Sequence, residues 1–131
     1  MKQLRILKAQ KGAVQKHMEE LLKLGVVRPS QSKFNNSIYE VSRPDGGLRV
    51  IHDFRAINQD TLLEPYSMKN IQDSMKDLSG AGSKLFSKID LTSGFWQMFL
   101  NPECQKYTAF TLPRLGQFEW NASPAGLIGA P

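Results

Sequence analysis

Ser37-Ile-Tyr-Glu-Val-Ser-Arg-Pro-Asp-Gly-Gly-Leu-Arg-Val-Ile-His-Asp53 is the stretch that decides the fold class. Its two β-like runs, Ser37–Ser42 and Leu48–Asp53, flank Pro44-Asp-Gly-Gly47. Glycine there supplies the positive φ of a tight turn, so the pattern predicts an antiparallel hairpin. The two-residue period puts Arg49, Ile51 and Asp53 on one face of the second strand, with Arg55 just beyond. Toward the N-terminus, Val14, Met18, Leu21 and Leu22 share one face of a helix that Gly25 is placed to end. Pro29 marks chain that has already left the helix. Toward the C-terminus, Ser67 to Leu78 is expected to be helical, with Ser67 as N-cap, Ile71, Met75 and Leu78 as the buried stripe, and Gly80 as the stop. Leu85–Asp90, Phe95–Leu100 and Tyr107–Leu112 read as strands. Pro113-Arg-Leu-Gly116 turns the last of them into Gln117-Phe-Glu-Trp120. Helices interleaved with antiparallel hairpins make the class α+β.

The bulk properties narrow the function. With 131 residues, 40% hydrophobic and 22% charged, the chain suits a globular domain rather than a disordered segment. Lys and Arg number 17 against 12 Asp and Glu, a net charge of +5. That balance favours a polyanionic partner, nucleic acid being the commonest, although charge carried only for solubility reads the same way. The single cysteine, Cys104, excludes an internal disulfide and fits a reducing compartment, and no His/Cys spacing suggests a zinc site. The first residues lack a signal-peptide core, and no apolar run approaches the roughly 18 residues of a membrane span. The expectation is a soluble, intracellular chain without a membrane partner. Nothing in the sequence indicates an oligomeric state.

Asp90 closes an apolar run beside Thr92-Ser93-Gly94, where a carboxylate either holds a divalent cation or caps a turn. A two-metal phosphoryl-transfer site needs at least two carboxylates, and after Asp90 only Glu103 and Glu119 follow. Arg43, Arg49 and Arg55 surround the glycine turn. They either cradle a triphosphate or form a solvated hairpin with Arg49 paired to Asp53. His17 and His52 lack ligand spacing and read as structural or surface residues. Trp96, Phe99 and Phe118 read as core rather than base-stacking platforms.

Glu20-Leu-Leu-Lys-Leu-Gly-Val-Val-Arg-Pro-Ser30, Asp45-Gly-Gly-Leu-Arg-Val-Ile-His-Asp-Phe-Arg-Ala-Ile-Asn58, Phe86-Ser-Lys-Ile-Asp-Leu-Thr-Ser-Gly-Phe-Trp-Gln97, Lys106-Tyr-Thr-Ala-Phe110, Gly116-Gln-Phe-Glu-Trp120 and Ser123-Pro-Ala-Gly-Leu127 occur in this order. In that order they resemble the fingers and early palm of reverse transcriptases, most of all those of gypsy-like LTR retrotransposons. The resemblance implies an N-terminal helix region at 1–25, fingers at 26–84 and an early, incomplete palm at 85–131 of a right-hand polymerase. It implies RNA-directed DNA polymerase activity in the parent protein, with template-primer, dNTP and two Mg²⁺ ions. Asp90 matches the first catalytic, metal-binding aspartate, and Leu91 the residue whose backbone carbonyl joins it on the metal. Thr92, Ser93, Gly94 and Phe95 match the residues lining the triphosphate and sugar, Phe95 being the bulky side chain that disfavours a 2′-hydroxyl. Arg49 matches the arginine on the incoming triphosphate, and Asp53 and Arg55 a pair that shapes the site. Ala125 and Gly126 match nucleotide-contacting positions, although Ala125 replaces a larger side chain. Arg114 stands where the family usually has Gly.

The second metal-binding motif, x-Asp-Asp, is expected beyond Pro131. The chain alone is therefore expected to lack polymerase activity, with an inactive nucleic-acid-binding remnant as the alternative. The strands 85–90 and 107–112 are expected to lack their sheet partners.

Overall fold

The computed structural model describes residues 11–42, 48–63, 67–82 and 84–129, with the backbone alone at Lys11, Glu40, Ser42, Leu48 and Arg49. The chain forms two compact units, one of residues 1–61 with 93–131 and one of residues 62–92. Helices and antiparallel sheets interleave, as the α+β pattern predicts.

In the first unit, α1 (Lys11–Lys23) buries Val14, Met18 and Leu21 along one face. Its end is set by Gly25 at φ +70°. The Val26 N–H donates to the Leu21 carbonyl and the Gly25 N–H to that of Leu22, while Val26 and Leu21 are both buried. This paired closure satisfies carbonyls the helix would leave orphaned. The chain then enters β1 (Val27–Pro29), which pairs with β5 (Gly116–Trp120), and β5 pairs with β4 (Phe110–Leu112). The register sets Val27 opposite Trp120 and Phe110 opposite Phe118. Pro29, which cannot donate to a ladder, sits on an edge strand, where the loss costs nothing. The hairpin forms as expected. β2 (Ser37–Ser42) pairs with β3 (Leu48–Asp53), Tyr39 lying opposite Ile51 and Ser37 opposite Asp53. The turn, with Arg43, lies outside the described residues. Ile38 faces the core, which also gathers Phe54, Phe110, Leu112, Trp120 and Ala122. A short α2 (Arg55–Asp60) follows β3.

Several expectations are corrected. The second long helix, α3, spans Ile71–Gly80, and its N-cap is Asn70, whose Oδ1 accepts the Gln72 N–H at 2.8 Å, not Ser67. Ile71, Met75 and Leu78 are exposed rather than buried, because the described residues of the second unit contain no further layer to cover them. Lys69 pairs with Asp77 on that helix. Residues 85–90 form no strand, and Leu85, Phe86 and Ile89 are exposed; among the described residues no strand pairs with this run. Residues 94–97 form a 3₁₀ turn instead of a strand, entered through Ser93 at φ +51°, and only Phe99 makes a bridge, to Ala122. Trp96 packs against the core, and Phe118 is buried, but Phe99 is exposed. Residues 107–112 divide between a 3₁₀ turn at Lys106–Thr108 and β4, which has a partner on β5. Asn101 caps a preceding turn, α4 (Pro102–Gln105), with Pro at its start. That Asn-Pro-Glu sequence is a helix-start signal, and the short helix it opens lies between the two runs read as strands.

The turn between β4 and β5 holds Arg114 at φ +72°. A left-handed conformation costs an L-residue roughly 1 kcal/mol or more, whereas glycine adopts it freely. Arg114 is exposed, so its side chain offsets little of this. Arg114→Gly is expected to raise stability by about 0.5–1 kcal/mol despite the entropy glycine adds to the unfolded chain. The check is the urea unfolding midpoint, which should rise with an unchanged slope.

Candidate functional site

The outward face of the hairpin carries Val41, Tyr39 and Ile51, all partly exposed, along with Asp53. At its end the Asp53 carboxylate takes two hydrogen bonds from the Arg55 guanidinium, Nε to Oδ1 at 2.8 Å and Nη2 to Oδ2 at 2.7 Å. The Arg55 backbone N–H adds a third at 3.2 Å. The Arg55 side-chain hydrogen bonds, then its backbone N–H, hold the Asp53 carboxyl down at about 2, and the same pairing pushes Arg55 above its ordinary value. The Asp53 partner is therefore Arg55. This replaces the Arg49 pairing considered from sequence, and it follows from the planar fork that Arg brings to a carboxylate two residues away. Arg55 remains 83% exposed, so its other N–H groups stay open to a phosphate. The Arg49 side chain lies outside the described residues, although its backbone is part of β3.

Ser93, Gly94 and Phe95 belong to the same unit. Ser93 is, with Arg114, one of two non-glycine residues at positive φ among those described, a strained entry that sets where Gly94 and Phe95 begin their turn. Ala125 is exposed, and Gly126 has φ +103°. A side chain there would meet only ordinary contacts, the nearest Phe54 Cδ2 at 3.7 Å, so the backbone angle rather than space calls for glycine. Asn58 clamps this loop from α2: its Nδ2 donates to the Gly126 carbonyl at 2.9 Å and its Oδ1 accepts the Ile128 N–H at 3.0 Å. Sequence reasoning gives Asn58 no role, and its only signal there is its place at the end of the Asp45–Asn58 motif. Asp90, Leu91 and Thr92 lie in the second unit, in irregular chain, with Asp90 and Leu91 exposed.

Behind the hairpin, His52 sits among Phe54, stacked at 5.4 Å, and Phe110 and Trp120, edge-on at 4.6 and 5.3 Å. The residue keeps some exposed surface, yet burial of its ring, with a smaller effect of His17, pushes its pKa down to about 4. It is a structural histidine, as the lack of ligand spacing implies. Glu119 is buried between sheet strands and fully engaged: Arg28 Nε reaches Oε1 at 2.8 Å and Ser30 Oγ donates to Oε2 at 2.5 Å. Such an engaged carboxylate is not free for a metal. Among the described residues no three His, Cys, Asp or Glu side chains gather as a metal site, and no helix is long and apolar enough to cross a membrane.

Residues 41–131 match the family described as reverse transcriptase (RNA-dependent DNA polymerase). The chain is 39% identical over 120 residues to the enzymatic polyprotein of figwort mosaic virus (strain DxS), covering 88% of this chain and 18% of that protein. It is 34% identical over 126 residues to the retrovirus-related Pol polyprotein from transposon opus of Drosophila melanogaster, covering 92% of this chain and 12% of that one. The chain thus spans less than a fifth of the length of these curated relatives. Among solved structures, the protease–reverse transcriptase of prototype foamy virus aligns with TM-score 0.78 at 29% identity, covering 100% of this chain and 17% of that one. The foamy viral protein in complex with an RNA/DNA hybrid aligns with TM-score 0.77 at 29% identity, with the same coverage.

Proposed function

The chain belongs to the reverse transcriptase family, and from that premise we propose that it forms the fingers (26–84) and early palm (85–131) of a retroelement polymerase of gypsy-like type. Its 1–25 region is the N-terminal part, to which α1 (Lys11–Lys23) belongs. The parent enzyme copies an RNA or DNA template into DNA. Within it, this segment grips the template-primer and the incoming dNTP. The observation that carries the reading is the Asp53–Arg55 fork, an exposed guanidinium fixed at the end of the hairpin that also bears Arg49. A cation whose orientation is already set can stabilise charge on phosphate oxygens without first being ordered. In this reading Arg49 and Arg55 meet phosphate while Asp53 holds Arg55 in place. Thr92, Ser93 and Gly94 line the triphosphate, and Phe95 crowds the sugar's 2′ position. Ala125 and Gly126, in the loop that Asn58 holds, contact the nucleotide.

Asp90 and the Leu91 carbonyl would offer two of the six oxygens that Mg²⁺ takes. The described residues do not complete such a site. One observation favours a second reading for the 131-residue polypeptide by itself, binding without catalysis. Of the two acids that follow Asp90, Glu119 is already committed to Arg28 and Ser30.

The test is fluorescence anisotropy with short DNA and RNA at several salt concentrations. Affinity should fall steeply as salt rises and depend little on sequence. Arg49→Ala with Arg55→Ala should weaken every sequence alike and lower the salt slope by about 1 for each phosphate no longer neutralised. Removal of Arg55 also leaves the Asp53 charge unbalanced against the phosphates. An unchanged affinity in the double variant, or strong preference for one sequence, would mean the binding surface lies elsewhere.

A further inference from the structure

Residues 125–129, Ala-Gly-Leu-Ile-Gly, lie in no helix or strand, and none of their side chains is a cation, an acid or a hydroxyl. Side chains of that kind suit the base and sugar of a nucleotide better than its charged phosphates. Among the described residues, the hydrogen bonds that reach this loop from elsewhere in the chain both end on one side chain. Asn58 Nδ2 donates to the Gly126 carbonyl at 2.9 Å, and Asn58 Oδ1 accepts the Ile128 N–H at 3.0 Å. An amide is what this needs, since one short side chain must donate to one partner and accept from the other. Asn58 is itself anchored: its N–H donates to the Phe54 carbonyl at 2.8 Å, and Phe54 is buried in the core. It also follows Arg55 by about one helical turn, so the helix that carries the forked cation carries the hold on the loop as well.

We propose that Asn58 is a positioning residue for the incoming nucleotide. It holds loop 125–129 for contact with the base and sugar, while the fork of Asp53 and Arg55 meets the phosphates independently of it. This role rests on the polymerase reading and divides the labour within it. Loss of the Asn58 amide costs contacts to the nucleoside and leaves the phosphate contacts in place.

The test uses the 131-residue chain, with dTTP as the nucleotide and inorganic tripolyphosphate as the probe that carries the phosphates alone. Binding is read from ¹H–¹⁵N spectra, in which dTTP should move the Gly126 and Ile128 amide resonances. Asn58→Ala should weaken dTTP about five- to tenfold, the size of one neutral hydrogen bond, and leave tripolyphosphate within about twofold. In that variant the Ile128 N–H should exchange with solvent faster, while the amides of the β2–β3 ladder keep their protection and show that the fold persists. Should the alanine variant not fold, Asn58→Ser, too short to reach both partners, should give the same contrast. Equal weakening of both probes would make Asn58 merely structural, and no change in either would show that the loop holds itself. Each of these results overturns the proposal and leaves the polymerase reading standing. An unaltered chain that binds neither probe would remove that reading and this role with it.

Discussion

Acidifying the folded chain from pH 7 to pH 4 is expected to cost on the order of 2 kcal/mol of stability, and His52→Phe is expected to remove most of that loss. The cause is the burial that pushes His52 from 6.5 to about 4. Between those values the unfolded chain binds a proton at His52 that the folded chain refuses, so unfolding gains as pH falls. The stability is fully present above 6.5 and is lost as pH drops through the folded value. Asp53 acts in the same direction, but its folded value of about 2 lies below an ordinary 3.8, so its effect begins only below the His52 window. Urea unfolding at half-unit pH steps separates the two. A flat profile between pH 6.5 and about 4 in the unaltered chain would show that His52 is not enclosed by its aromatic neighbours.

The sequence is legible where local signals and tertiary pairing agree. The hairpin of β2 and β3 can be read with its strand limits, because alternation, turn glycines and β-branched residues all point the same way. The closure of α1 at Gly25 follows from spacing alone. Residues 85–90 mislead because an apolar run of this length becomes a strand only when another strand exchanges hydrogen bonds with it. The exposed stripe of α3 has the same origin, since periodicity states which side is apolar but not what covers it. At the 3₁₀ turn 94–97, the left-handed Ser93 redirects a segment whose composition suits a strand.

The candidate site is legible as residue types and order more than as geometry. Asp53 and Arg55 stand out in the sequence, but their fork shows only once both side chains are placed. Asn58 and the ring cluster around His52 need α2 and β3 to meet β4, β5 and the loop at 126–128, far along the chain. Arg114 is a case where sequence and structure meet. The resemblance marks a position that usually holds Gly, and the backbone there has the positive φ that glycine favours.

In the proposed reading Asp90 serves as a catalytic carboxylate of the complete polymerase. The most direct measurement is primer extension by a chimaera in which residues 11–129 replace the matching segment of the figwort mosaic virus polyprotein. The 131-residue chain alone, whose described acids gather no metal site around Asp90, is expected to incorporate nothing. The chimaera is expected to extend a primed template with dNTPs. Asp90→Asn should lower that rate roughly a thousandfold, about 4 kcal/mol of transition-state stabilisation, while Asp60→Asn, at an exposed position on α2, should leave it within a few-fold. An active chimaera whose rate is unchanged by Asp90→Asn would refute a catalytic role for Asp90, and Asp90-dependent incorporation by the isolated chain would show that it holds a working site by itself.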